Sequence, residues 1–274
     1  MNDLIIGARE SPLALKQVEL FTGEYGVTGS LKKIKTLGDK GAHGVIDQFT
    51  RELDLALLDN TIDLAVHSLK DIPVEFPEGL EIAAVCERGD PRDCLITRNG
   101  VNLNGLPAEA VVGTCSERRN AELLNLRSDL KPKPIRGNIG TRLDQLDSGE
   151  YDAIVLAKCA LDRLDQQKRI AQVFRLSEMV PAAGQGAIAI VKRKSDSFGF
   201  LKKSTGYTCC MLEREFIKGL GGCRNPVGAY CSYSRTEYSL TGLIYKDGAR
   251  RVPRFVGHPE KIEKDIKAWK AEFI

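Results

Sequence analysis

The sequence predicts an α/β protein built from two similar halves, followed by a small α+β domain. Short apolar runs alternate with helical segments over residues 1–86, and the alternation restarts after the charged, turn-rich ERGDPRD at 87–93. Beyond residue 200 the character changes to a helix, a cysteine turn, two longer strands and a closing helix.

Leu4-Ile5-Ile6 is a short apolar strand, and Ser11 and Pro12 then supply an N-cap and first helical residue for LALKQVELF. Phe49, Leu53, Ala56 and Leu57 recur at helical spacing, while Asp63–His67 and Glu81–Cys86 read as strands. The second half gives strands CLIT and AVVGT, helix ERRNAELLNL, strand KPIR at 133–136, a helix around TRLDQL and strand Ala153–Ala157. PAAGQGAIAIVKR at 181–193 is strand-like after a glycine turn, and KRKSDSFGFLKKSTG reads as a linker. A helix around LEREFIKGL, strands near VGAYCSY and YSLTGLIY, and a helix striped by Ile262, Ile266, Trp269 and Phe273 complete the chain.

At 274 residues the chain exceeds the size at which single cores stop growing, which favours two or three domains. Forty basic against 37 acidic residues, a net charge of +3, give no polybasic signature and argue against a dedicated nucleic-acid protein. The N-terminus lacks a basic segment followed by a long apolar run, and no stretch of eighteen apolar residues occurs, so a cytoplasmic protein is expected. Eight cysteines (Cys86, Cys94, Cys115, Cys159, Cys209, Cys210, Cys223 and Cys231) show neither CxxC nor paired Cys/His spacing. Neither a disulfide framework nor a metal site is expected, and most of these thiols read as buried fillers.

Three stretches place cations where a strand enters a helix: GARES at 7–11, GTCSERRN at 113–120 and RGNIGTR at 136–142. In open α/β sheets ligands bind at the carboxyl ends of strands, where helix N-termini offer free N–H groups. Single arginines at such positions are ordinarily solvated surface charges. Arg9, Arg118, Arg119, Arg136 and Arg142 at equivalent turns instead suggest a site for carboxylates or phosphates, which guanidinium forks pair bidentately. Helix N-termini disfavour cations, so Arg118 and Arg119 call for an anion nearby.

AVHSLKDIP at 65–73 adds Lys70-Asp71 just past a strand end, and Asp71 is the single acid among basic groups that could steady a developing cation or move a proton. His67, on an apolar strand with no second ligand at useful spacing, reads as a satisfied core histidine. PAAGQGA fits no phosphate-loop spacing and reads as a hinge or close-packing turn. In GGCRNPVGAY, Cys223 sits on a glycine turn beside Arg224, a setting for an exposed, partly ionised thiol. With only three histidines, none suitably placed, a cysteine-hydrolase reading is poor.

Taken in order, GARESPLALKQ, AVHSLKDIPVEFPEGL, ERGDPRD, VGTCSERR, RGNIGTRLDQLDSGEYDAIVLA, PAAGQGA and GGCRNPVGAY resemble the porphobilinogen deaminase (hydroxymethylbilane synthase) family over most of the chain. The resemblance implies two doubly wound lobes like those of periplasmic binding proteins, plus a small α+β C-terminal domain. The implied boundaries are 1–88 with 186–199, 89–185 and 200–274. It further implies a transferase that condenses four porphobilinogen molecules, with loss of ammonia, into hydroxymethylbilane for haem biosynthesis. The implied primer is a dipyrromethane held by a thioether to Cys223. Ser68, Lys70, Thr114, Ser116, Arg118 and Arg119 would hold that cofactor. Arg9, Ser11, Phe49, Arg136, Arg142 and Arg163 would grip substrate, and Asp71 would be catalytic. A monomer without nucleic-acid or membrane partners is the matching expectation. This sequence departs from the family pattern in a shorter segment at 38–53, which lacks the lysine usual before Phe49, in Cys115 for serine, and in Cys159-Ala160 where Ala-Gly is common. A two-lobed solute-binding module would explain the lobes and arginines equally well, but gives Cys223 and Asp71 no role.

Overall fold

A computed structural model of the chain describes residues 4–39, 47–221 and 225–273. The first half of the chain runs β1 (Ile5–Arg9), α1 (Pro12–Tyr25), β2 (Ser30–Ile34), α2 (Arg51–Leu58), β3 (Leu64–Ser68) and β4 (Leu80–Val85). There follow β5 (Asp93–Thr97), β6 (Val111–Gly113), α3 (Glu117–Leu126), β7 (Lys131–Lys133), α4 (Ile139–Asp147), β8 (Ala153–Ala157), α5 (Lys158–Arg163) and β9 (Ile170–Val173). The remainder comprises β10 (Ile188–Arg193), α6 (Thr205–Ile217), β11 (Val227–Ser234), β12 (Glu237–Lys246), β13 (Ala249–Arg251), β14 (Arg254–Gly257) and α7 (Pro259–Phe273). Two compact units result, one from Met1–Gly89 with Ala187–Met211, the other from Asp90–Gly186 with Leu212–Ile274. No helix among the described residues is long and apolar enough to cross a membrane.

The first unit holds a five-stranded sheet of order β2-β1-β3-β10-β4, in which β1 is parallel to β2 and β3 while β10 runs antiparallel between β3 and β4. The second unit repeats this plan as β7-β6-β8-β5-β9, with β5 as the antiparallel strand. Both sheets are covered on two faces, so their central strands, such as β3 and β8, are apolar on both sides. In the first, Leu64 and Val66 pack with Val18 and Phe21 of α1, while Ala65 packs with Leu53 and Leu57 of α2. In the second, Val155 packs with Leu123 of α3, and Ile154 and Leu156 with Leu143 and Leu146 of α4.

Local signals explain the best-defined elements. Ser11 caps α1 by accepting from the Ala14 N–H at 3.3 Å, with Pro12 in the first turn, as its sequence predicts. Ser116 and Asn138 cap α3 and α4 in the same way, accepting from the Arg119 and Thr141 N–H groups.

Three expectations need correction. The strand expected at 133–136 lies at Lys131–Lys133, parallel to β6; beyond it Gly137 takes φ +105° and turns the chain into α4, while Ile135 drops into the core. The stretch read as a linker is anchored, because Phe198, Phe200 and Leu201 pack against the cluster that contains Phe21. The helix expected around 212–220 starts earlier, at Thr205, and buries Cys209 and Cys210.

The C-terminal sheet is antiparallel, order β11-β12-β13, with β14 also pairing β12. Phe216, Phe255, Trp269 and Phe273 form an aromatic cluster against it with ring centroids 4.8–6.3 Å apart. Gly242 of β12 makes this packing possible, since a Cβ there would lie 2.2 Å from the fully buried Phe216 ring. Gly242→Ala therefore forces Phe216 off its site and is expected to cost about 1–3 kcal/mol, read as a lower urea midpoint with unchanged m. A midpoint equal to wild type would show that the ring has room to move.

Candidate functional site

In the first unit, β1 and β3 end side by side, and their carboxyl ends carry the residues singled out from the sequence. Arg9 closes β1, Ser11 caps α1, Ser68 closes β3, and Lys70 and Asp71 lie in the short 3-10 turn Leu69–Asp71 that follows. Arg9, Ser11, Phe49, Ser68 and Asp71 line one small pocket of about 50 Å³ together with Gln17 and His67. Lys70, half-buried, belongs to the same turn.

Arg9 is held by a carboxylate from the chain itself. Its Nη2 and Nε donate to Asp39 at 2.5 and 3.2 Å, and its guanidinium carbon stands 4.3 Å from the Phe49 ring centroid. Asp39 also accepts from the Thr36 N–H and hydroxyl. Burial alone would raise the Asp39 carboxyl, but the hydrogen bonds from Arg9 and Thr36 and the guanidinium charge outweigh it and hold the group below its ordinary range. The spot above Arg9 thus accepts a carboxylate, which is the chemistry expected of an acidic ligand. Gln17 of α1, 2 % exposed, donates to Ser68 Oγ at 2.7 Å and fixes that hydroxyl at the pocket wall.

In the second unit, the start of α3 is organised around Asp93, the first residue of β5 and fully buried. Arg118 Nη1 reaches its Oδ2 at 2.8 Å, and Arg119 donates to Oδ1 from Nε at 3.0 Å and Nη2 at 2.7 Å. Gln185 adds a 2.9 Å hydrogen bond to Oδ1. Burial would raise this carboxyl, but the two guanidinium charges overcome it and hold it far below the usual range. The anion demanded by two arginines in a first helical turn is therefore present, yet one carboxylate faces two buried cations. Arg118 Nε is buried with no hydrogen-bond partner among the described residues. Thr114 Oγ1 accepts from the Ser116 N–H at 3.1 Å and shapes the turn between β6 and α3.

The remaining arginines are placed less centrally. Arg136 is exposed before α4, Arg142 donates to the Gly137 carbonyl, and Arg163 donates to the Gly186 carbonyl at 2.6 Å. Cys223, the expected attachment point, lies outside the described residues. On either side of 222–224, Asn225 Nδ2 donates to the Leu220 carbonyl at 2.8 Å. Further along, the Ala229 N–H donates to the Pro181 carbonyl, and a Cβ at Gly228 would meet that same oxygen at 2.6 Å.

Several residues of consequence carried no sequence signal. Glu122, fully buried on α3, accepts from Tyr245 Oη, Arg250 Nε and the Val180 N–H, and so ties the C-terminal sheet to α3. Glu213, fully buried on α6, accepts from the N–H groups of Gly184 and Cys231 at 2.7 Å each, bracing the PAAGQGA turn and β11. No cluster of metal-ligating side chains occurs among the described residues, and their cysteines form no disulfide, Cys115 alone of these being exposed.

Residues 4–198 match the family model described as porphobilinogen deaminase, dipyromethane cofactor binding domain, and residues 207–261 match the porphobilinogen deaminase C-terminal domain. A porphobilinogen deaminase of Alkaliphilus metalliredigens is 38% identical, the match covering 99% of this chain and 90% of that one. One of Helicobacter acinonychis is 44% identical over 89% of this chain and 85% of its own. Among solved structures, the second substrate binding domain of a putative amino acid ABC transporter from Streptococcus pneumoniae aligns at TM-score 0.44 and 11% identity, covering 81% of this chain and 96% of that one.

Proposed function

The chain belongs to the porphobilinogen deaminase family, and from that premise we propose how its own residues divide the work. The activity is that of a transferase making hydroxymethylbilane in tetrapyrrole biosynthesis with a dipyrromethane cofactor. Four porphobilinogen molecules are condensed per product. The reading carries with it a cytoplasmic enzyme acting as a monomer without nucleic acid, in line with 40 basic against 37 acidic residues.

The residues present fit an acidic cofactor. Arg118 and Arg119 outnumber Asp93 in a buried setting, leaving a surplus positive charge, and Arg118 Nε lacks a protein partner among the described residues. Ser68, Lys70, Thr114, Ser116, Arg118 and Arg119 hold the dipyrromethane, with Cys223 as the point of attachment. When bound, that group supplies the free α-carbon to which porphobilinogen units are added.

The observation that carries the site assignment is the pocket at the ends of β1 and β3, which Asp71 lines together with Arg9, Ser11 and Ser68. Arg9 pairs a substrate carboxylate in place of Asp39, and Phe49 supports the guanidinium from its face. Ser11 contributes its hydroxyl, whose oxygen already accepts from Ala14. Arg136, Arg142 and Arg163 grip further acidic arms as the chain lengthens. Asp71 faces the positive charge that develops on the substrate ring as ammonia leaves, and accepts from the pyrrole N–H.

Intact mass tests this reading. The purified protein is expected to exceed its sequence mass of 30.1 kDa by one dipyrromethane, and to gain porphobilinogen units in steps when given substrate. Cys223→Ser is expected to show the bare mass under both conditions. A wild-type protein of bare mass that gains nothing from porphobilinogen would overturn the assignment.

A further inference from the structure

The structure does not leave His67 as the satisfied core histidine its strand suggested. Along β3, Leu64 and Val66 face α1, whereas Ala65 faces α2, so His67 shares the face of Ala65. On β1 the same face belongs to Gly7, whose added Cβ would meet Leu53 and Ile62, and hence to Arg9 two residues on. His67 is 4 % exposed, and its Nε2 is buried without a hydrogen-bond partner among the described residues. Unpaired buried nitrogens are rare in native proteins and call for an explanation. This one belongs to a ring that lines the pocket of Arg9, Ser11, Ser68 and Asp71.

Burial, reinforced by the charge of Arg9, pushes the His67 pKa down to about 4, so the ring is neutral near pH 7. A neutral imidazole beside a guanidinium adds one ring donor without adding a second cation. The acceptor that Arg9 holds is a carboxylate, supplied by Asp39. A ligand carboxylate in that position brings a second oxygen to be satisfied.

We propose that His67 is a further substrate-binding residue, whose Nε2–H donates to a carboxylate oxygen of the acidic pyrrole that Arg9 pairs. The inference rests on the porphobilinogen deaminase reading and extends it to a neutral donor on β3.

The test uses the holoenzyme with 15N-labelled histidine, its three imidazoles separated by the loss of one signal set in His67→Gln. Excess porphobilinogen is added, and intact mass is read on the same sample. The expected result is a protonated His67 Nε2 whose resonance moves as bound units appear. In kinetics, His67→Leu raises KM for porphobilinogen about tenfold or more, the scale of a hydrogen bond to a charged group. His67→Gln, which returns a donor near the Nε2 position, recovers KM to within about threefold of wild type on the same scale. An unprotonated Nε2, or an unmoved resonance while the mass ladder forms, overturns the proposal and leaves the enzyme assignment standing. So does a Gln variant no better than Leu. Absence of the mass ladder from wild type removes both readings. Should His67→Leu fail to fold by circular dichroism, the wild-type resonance decides.

Discussion

Asp71→Asn is expected to keep the fold and the Cys223-linked primer while losing turnover by about two to three orders of magnitude, the scale of removing one aimed electrostatic group from a reacting centre. Asparagine has the same shape and can still accept a hydrogen bond from a pyrrole N–H, so binding is largely retained. What disappears is the negative charge facing the cation that forms as ammonia departs. Asp71 is the one carboxylate among the described residues that line the pocket, where Arg9, Ser11 and Ser68 contribute donors. Intact mass reports the primer, circular dichroism the fold, and stopped-time product assays the turnover. Turnover within threefold of wild type would remove Asp71 from the chemistry. Loss of the primer would instead assign it to cofactor assembly.

Asp93→Ala is expected to be the most damaging single change to stability. It leaves Arg118 and Arg119, 4 % and 7 % exposed, without the carboxylate that both reach. Stranding buried charge in this way costs about 3–5 kcal/mol, a large share of a domain's stability. Urea unfolding followed by tryptophan fluorescence measures it, since the chain has one Trp, Trp269, in the same compact unit. A loss under about 1 kcal/mol would mean that water reaches the guanidinium groups and screens them. The pH dependence has a defined sign. Because the native Asp93 pKa lies below its ordinary value of 3.8, its contribution is fully present above that value. It is lost as pH falls further, towards the native pKa. Asp93→Ala should therefore flatten the acid limb of the stability curve.

Much of the scaffold was legible because its signals are local. The apolar run Ala153–Ala157 is β8, and ERRNAELLNL is α3 to the residue. Ser11-Pro12 marks the start of α1 through a side-chain cap that acts over three residues. Elements without such signals escaped. β2, SLKKI, buries none of its residues at the sheet edge and so carries no apolar pattern. The anchoring of Phe198 and Phe200 depends on Tyr25, more than 170 positions away, and no window of sequence contains both.

The site divides along the same line. Arg9, Ser11, Ser68 and Asp71 could be placed together because strand-to-helix turns at neighbouring parallel strands share one sheet edge. Their immediate partners could not. Asp93 stands in ERGDPRD, where it looks like one more turn charge, and only the pairing of β5 with β8 and β9 buries it next to α3. Gln185 sits in a glycine turn that gave no hint of a carboxylate contact. His67 follows the same rule: alternation predicts its burial, but not whether its buried nitrogen finds a partner.

The interposed strand β10 sets a timetable for the newborn polypeptide. Sheet order places it between β3 and β4 of the first unit, although it emerges only after every strand of the five-stranded sheet in the second unit. On the ribosome, the segment translated first must wait, its hydrogen-bonding edge open, until residue 193 has left the exit tunnel. The five strands of the other sheet are all available by residue 173. Synthesis from the amino end and completion of the two sheets therefore run in opposite order.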